Sequence, residues 1–443
     1  MKAIKNFEIY YRSLDKYKKA FWIYLFLIFI EGAMRKWFMP GLSNLWFMCR
    51  EPFVIWIVIS SMNERYLKSR LAKWFMGIGL ITLFITITIG HHNIPIALYG
   101  FRIWFFHIPF IFIMSQRLNR TDLIKIMQFL CIIFIPMTVL YTLQFLTPPN
   151  NIINAAVGGE VAERTGTANG AVRPPGTFAH CLGSSYYNPI VTCIFTVVMF
   201  SKNYRKQILE FKLGFPLLAT CVVLTLITSV SRGTILQSAI TILFISLIMN
   251  LAKIGNSFFK VLFSLLCLIL LIFIISNIKV GDMYLLDPVI NRFTTAAEQE
   301  GGTSGVFLSR ILEPYIFWHN MGKVADIPFM GCGIGMGSNF AAKTLTGGSW
   351  MLGEWSSQIV YAEMGILFGT IVFLMRFCYP IKLFFKSINI LKRNHDILPI
   401  TLWTLSLQYF ANGNINVVYS LGFIVILMIM LLVSIKTSHH TSI

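Results

Sequence analysis

Residues 213–251 read LGFPLLATCVVLTLITSVSRGTILQSAITILFISLIMNL. Two apolar runs, 213–230 and 234–251, flank Ser231-Arg232-Gly233. As a helix, each run is long enough to cross about 30 Å of hydrocarbon. An arginine at such a junction marks a turn at a membrane face, because a guanidinium in lipid is costly unless it meets an anion, a partner or water. Similar runs recur in both directions, at 20–34, 44–62, 71–90, 96–114, 123–146, 183–200, 261–277, 356–379, 397–411 and 417–435. Hydrophobic residues make up 56% of the 443, charged residues 12%, and the mean hydropathy is +0.70. A soluble chain of this length needs far more polar surface. The expected fold is an all-α polytopic membrane protein of about twelve transmembrane helices, one integral membrane domain over 1–443. The first apolar run continues into Glu31, Arg35 and Lys36 instead of a small-residue cleavage site, so no cleavable signal is expected.

The net charge of +19 raises the question of nucleic acid, but its distribution answers otherwise. With a cytoplasmic N-terminus, the inner segments hold 23 of the 37 Lys and Arg residues and the outer segments 10. The short loops alternate as the positive-inside rule requires, so both termini are expected in the cytoplasm. Basic inner loops act as topology signals and attract anionic lipid head groups, and no nucleic-acid partner is called for.

Two outer-face insertions interrupt the apolar pattern. The smaller, 147–182, contains Arg164 and Arg173-Pro174-Pro175-Gly176-Thr177-Phe178, where Pro-Pro-Gly favours a fixed turn able to place Arg173. The larger, 277–355, carries Arg292, Arg310, His319 and seven acidic residues, Glu354 among them. A connection this long is kept for binding or catalysis more often than not. Within it, Val306 to Lys323 reads as a helix capped by Ser304, striped by Phe307, Ile311, Tyr315 and Trp318 and kinked at Pro314. Phe329 to Gly337 is too rich in glycine for a regular element and reads as a turn returning to the membrane.

Arg232 has two readings. It snorkels to lipid phosphate, or its planar fork clamps a phosphate on a lipid-linked substrate. Glu31, Arg35, Arg50 and Glu51 read as interfacial ion pairs that fix helix packing, since charges at such positions pair. The eight cysteines show no zinc-ligand spacing, and Cys181 and Cys332 are the two near the outer face that could approach one another. His91-His92 reads as a solvated turn and His439-His440 as a tail. There is no P-loop and no paired-aspartate motif for a metal-held nucleotide sugar, so neither a metal nor a cofactor is expected.

Ser231-Arg232-Gly233 before an apolar helix resembles the arginine-glycine signature of the O-antigen ligase and O-antigen polymerase superfamily. Pro328-Phe329-Met330-Gly331-Cys332-Gly333-Ile334-Gly335 is similar to that family's return from its large outer loop. Glu363-Met364-Gly365-Ile366-Leu367-Phe368-Gly369 is similar to its following helix start. Glu31-Gly32-Ala33-Met34-Arg35-Lys36-Trp37 and Arg173-Pro174-Pro175-Gly176-Thr177-Phe178 resemble segments of bacterial polysaccharide polymerases. The likeness covers 213–375 well and the rest loosely.

The resemblance implies a GT-C-like enzyme of the bacterial cytoplasmic membrane, with the large loop on the outer side. It implies inverting, metal-independent transfer from an undecaprenyl-diphosphate-linked glycan to a lipid-linked acceptor, with a chain-length regulator as a further partner. Where the family has His-Asn, nine residues before Glu363, this chain has Glu354-Trp355. Glu354 is then the expected base, a carboxylate beside Trp350 and Trp355, with His319 in reserve. The plain alternative for Glu354 is an exposed or arginine-paired carboxylate. Arg310 stands where the family has an arginine and would form a two-point diphosphate clamp with Arg232, supported by Arg292 and Arg173; its alternative is an ion pair with Glu313. Two rival functions stay open at this point. One is an O-antigen ligase with lipid A core as acceptor; the other is a transporter of lipid-linked oligosaccharide, which has less use for a large outer loop.

Overall fold

The computed structural model describes residues 2–62, 69–159, 167–168, 171–209, 213–251, 328–346, 356–413 and 418–438, with Ile415 and isolated positions between 279 and 302. The expected span 261–277 and the expected loop helix Val306 to Lys323 lie outside them, as do Arg292, Arg310, His319, Trp350, Glu354, Trp355, His439 and His440.

The described chain is helical apart from two antiparallel pairs of two-residue strands, Thr167–Ala168 with Ala171–Val172 and Lys279–Val280 with Met283–Tyr284. The helices are α1 (Lys2–Arg12), α2 (Lys16–Ala33), α3 (Ser43–Phe47), α4 (Glu51–Ser61), α5 (Arg70–Thr88), α6 (Ile94–Phe101), α7 (His107–Arg117) and α8 (Arg120–Leu146). There follow α9 (Cys181–Phe200), α10 (Lys202–Ile208), α11 (Gly214–Thr228), α12 (Arg232–Leu251), α13 (Ser356–Asn394), α14 (Leu398–Ser406) and α15 (Val418–Ser438). Local sequence sets their starts. Asp15, Ser69, Asn93 and Ser201 each accept a backbone N–H of the first turn, and Asn119 with Asp122 forms a reciprocal capping box.

Eight helical stretches among the described residues are long and apolar enough to cross a membrane. They fall on the expected runs; α2 starts among lysines, α11 is shorter, and the run at 397–411 is α14 followed by a π-helical turn. Helix α15 is the axis of the bundle, buried on every side from Phe423 to Leu431. Helices α7, α9 and α14 pack around it.

The expected span 356–379 is not one straight helix. Gly365, at φ 72° and ψ −175°, breaks α13 and turns it back on itself. Ser356 Oγ accepts from Arg376 Nη1 at 3.0 Å, and Tyr361 packs on Gly369, so the residues before Gly365 run antiparallel to those after it. Glu-Met-Gly-Ile-Leu offers no proline or turn pair to announce such a reversal; only the conformational freedom of Gly365 permits it.

Segments that the charge count assigns to one face lie together in space. At the basic end Asp122 receives Lys18 Nζ at 2.6 Å and Tyr10 Oη at 2.5 Å, and Arg120 meets Asp396 at 3.1 Å. There Lys436 Nζ also donates to the carbonyls of Ser115, Gln116 and Leu118, closing the exposed end of α7. At the opposite end Lys36 Nζ donates to Gly176 O at 2.6 Å, and Trp37 Nε1 to Ile152 O at 3.0 Å. The glycine turn at 328–337 docks at that same end, where Ile334 O lies 3.1 Å from His91 Nε2.

Candidate functional site

The segments marked out in the sequence meet in pairs at the end opposite the basic one. The first pair is Glu31–Trp37 with Arg173–Phe178. Gly32 abuts the backbone of the Pro-Pro-Gly turn, where a Cβ would fall 2.3 Å from Thr177 O. Gly176, at φ +64°, donates its N–H to Gln144 Oε1 at 2.7 Å, and its carbonyl accepts from Lys36. Phe178 is fully buried against Phe29, Tyr187, Tyr419 and Phe423. The turn is thus fixed from three sides, which places Arg173 as the sequence suggests.

Pro174, next to Arg173, accepts at its carbonyl from Ser184 Oγ at 2.9 Å, so this segment lies against the first turn of α9. His180 is the exposed N-cap of that helix, with Nδ1 accepting from Leu182 N–H at 3.2 Å. One turn on, Ser185 Oγ lies 3.4 Å from Ser231 Oγ. Arg173 and Ser231-Arg232 therefore flank the same helix start, from segments nearly 60 residues apart in sequence.

Ser231 caps α12 through Thr234 N–H at 3.4 Å. Just before it, buried Val230 is held at φ 45°, an expensive conformation for a β-branched residue and one that makes the turn between α11 and α12 abrupt. Gly233 is different: among the described residues a Cβ there would meet nothing within 4 Å, so their packing does not explain the glycine. Behind this surface Tyr409 Oη lies 3.0 Å from Tyr186 O and 3.1 Å from Gln237 Oε1, joining α9, α12 and the π turn after α14.

The second pair is the glycine turn with the start of α13. Cys332 N–H donates to Ala362 O at 2.8 Å, Gly333 N–H to Glu363 O at 3.0 Å and Ile366 N–H to Phe329 O at 3.1 Å. The Glu363 side chain, wholly buried, accepts from Gly337 N–H at 2.7 Å and from Trp104 Nε1. Gly335 packs so tightly on Gly100 that a Cβ on Gly100 would fall 2.3 Å from its nitrogen. The glycine turn at 328–337 is anchored to α5, α6 and α13 by backbone contacts that only glycine allows.

Between the pairs lies a buried polar belt. Glu31 meets Arg35 at 3.0 Å and Arg50 at 3.1 Å, and its Oε1 accepts from Tyr419 Oη at 3.0 Å. Glu51 meets Arg102 at 3.2 Å. The four charges read as paired are paired, and Arg102, which the pattern places within a span, completes the set. Arg376, another such charge, donates to Phe410 O, Gly413 O and Ser356 Oγ. These side chains tie helix ends together.

Of the expected site residues, Arg173 and Arg232 belong to segments that both pack on the first turns of α9. The helix start between them, with His180, escaped the sequence reading because a single histidine beside a turn carries no spacing signal. Cys181 and Cys332 are both free thiols, so the approach considered for them does not make a disulfide. His91, read as a solvated turn residue, is half-buried and holds the glycine turn. Comparison with family models, curated proteins and solved structures finds no match to the chain.

Proposed function

We propose that this chain is a metal-independent, inverting glycosyltransferase of a bacterial cytoplasmic membrane, polymerising O-antigen or exopolysaccharide repeat units carried on undecaprenyl diphosphate. One observation carries the reading: the Arg173-Pro174 and Ser231-Arg232 segments both pack on the start of α9, at the end opposite the basic loops. The order of the motifs around a large loop and their pairwise packing add support.

In this mechanism an acceptor sugar hydroxyl attacks the anomeric carbon of the donor glycan. The new glycosidic bond forms as the bond from that carbon to the diphosphate oxygen breaks, and the bonding pair leaves on the diphosphate. Guanidiniums at Arg232 and Arg310, with Arg292 and Arg173 behind them, take up the charge that grows there, a task a metal ion performs in other transferases. The acceptor proton passes to Glu354, with His319 as the reserve base. Approach from the side opposite the diphosphate inverts the anomeric centre.

The test is reconstitution of the purified protein in liposomes with a lipid-linked repeat unit, followed by separation of the glycans by length. A ladder of longer chains is expected. Transbilayer movement of the lipid without any ladder would make the chain a transporter. Transfer only when lipid A core is supplied would make it a ligase.

A further inference from the structure

A groove enclosing about 660 Å³ opens at the basic end between the start of α5 and the second limb of α13. Its rim carries Arg70, Lys382 and Lys386 beside Ser69, and among the described residues no carboxylate lines it. Both lysines are exposed, and no hydrogen bond or ion pair joins any of the three cations to another described residue. Below the rim the lining turns apolar with Leu71, Leu374 and Tyr379.

The order along α13 is what selects the occupant. Leu374, Cys378, Lys382 and Lys386 follow one another at four-residue steps and so share one helix face. At 1.5 Å per residue they cover about 18 Å, close to one leaflet's share of a hydrocarbon core of about 30 Å. Apolar groups fill the deep part and ammonium groups the shallow part. The neighbouring surface is exposed and apolar: Trp74, one turn along α5 from Arg70, is 68% exposed and Phe385 is 61% exposed. Tryptophan at that height is a membrane-interface anchor.

We infer that this groove binds one anionic glycerophospholipid of the leaflet at the basic end, its phosphate on Arg70, Lys382 and Lys386 and an acyl chain along Leu374 and Tyr379. Three cations around one phosphate, with no carboxylate among the described lining residues, favour an anionic head group over a zwitterionic one, whose own ammonium they repel. An acyl chain fits the apolar stripe, which free phosphate has no use for. The site is separate from the proposed glycosyl transfer and stands or falls without it.

The test uses the full chain in nanodiscs of phosphatidylcholine containing a minor fraction of phosphatidylglycerol, with retained lipid counted by native mass spectrometry after release into detergent. Wild type should retain phosphatidylglycerol at least tenfold above its share of the bilayer. Lys382→Glu with Lys386→Glu should abolish the enrichment, and Lys382→Gln with Lys386→Gln should weaken it if the reversed pair fails to fold. Lys202→Glu with Lys206→Glu makes the same charge change on α10, away from the groove, and should leave the enrichment intact. Enrichment that survives both groove variants, or that the α10 variant removes equally, would overturn the assignment. So would displacement of the lipid by millimolar inorganic phosphate, which would make the groove a plain phosphate site.

Discussion

Gly331 and Gly365 lie back to back: a Cβ on Gly331 would stand 2.4 Å from Gly365 N, and one on Gly365 would stand 2.0 Å from Phe329 O. Both have positive φ, 80° and 72°. The glycine turn at 328–337 and the reversal within α13 are thus one joint.

Gly365→Ala should therefore strike at both. The positive φ alone costs about 1 kcal/mol or more, and a backbone clash adds to it, so a loss of about 3 kcal/mol is expected. The apparent Tm in detergent should fall by several degrees. A Tm unchanged within a degree would mean that the joint does not form.

Glu363→Ala leaves Gly337 N–H and Trp104 Nε1 without an acceptor, at about 1–3 kcal/mol for each buried donor. Glu363→Gln keeps one acceptor oxygen and should lose about half as much. Limited proteolysis should cut the Ala variant near 328–337 faster than wild type, with Gln between them. Equal rates in all three would remove Glu363 from its anchoring role.

Glu31 is enclosed by Arg35, Arg50 and Tyr419. Glu31→Ala removes the buried carboxylate that Arg35 and Arg50 share and should cost about 3–5 kcal/mol, while Tyr419→Phe should cost about 1 kcal/mol. In a double-mutant cycle with Arg50→Ala, the two losses should fall well short of additive. Full additivity in chemical denaturation would contradict a coupled network.

Lys36 is buried on the carbonyl of Gly176, and burial pulls its ammonium down to about 7 from an ordinary 10.5. The folded state then favours the neutral amine, while the unfolded chain keeps its proton up to about pH 10.5. Unfolding takes up a proton between those values, so this group's contribution to stability rises from pH 7 towards 10.5 and is flat below 7. Lys36→Met should remove that slope from the pH dependence of Tm. A parallel pair of curves would show that Lys36 is not titrating in the fold.

Much of this was legible in the sequence. Apolar runs announced the helices because a lipid-facing helix and a buried one are both written in apolar residues. Alternating basic loops sorted the helix ends. Arg173-Pro174-Pro175-Gly176 announced a fixed turn because proline and glycine restrict the chain locally. What stayed hidden depends on contacts between distant residues. The reversal at Gly365 is settled by Phe329 and Gly331, more than 30 positions away. The pairing of Arg102 with Glu51 and the grip of Arg376 on Phe410 O and Gly413 O require the bundle to exist first.

The most direct test is the initial rate of chain elongation in proteoliposomes by wild type, Arg232→Lys and Gly233→Ala. Arg232→Lys keeps the charge but loses the two-point fork, so the rate should fall about a hundredfold with Tm preserved. Gly233→Ala meets no described atom within 4 Å and should stabilise the helix start by about 0.5 kcal/mol. It should nonetheless slow elongation, because a Cβ beside Arg232 disturbs the placement of the diphosphate. Wild type that builds no longer chains, or an Arg232→Lys variant that elongates at the full rate, would contradict a diphosphate-holding site at the start of α9.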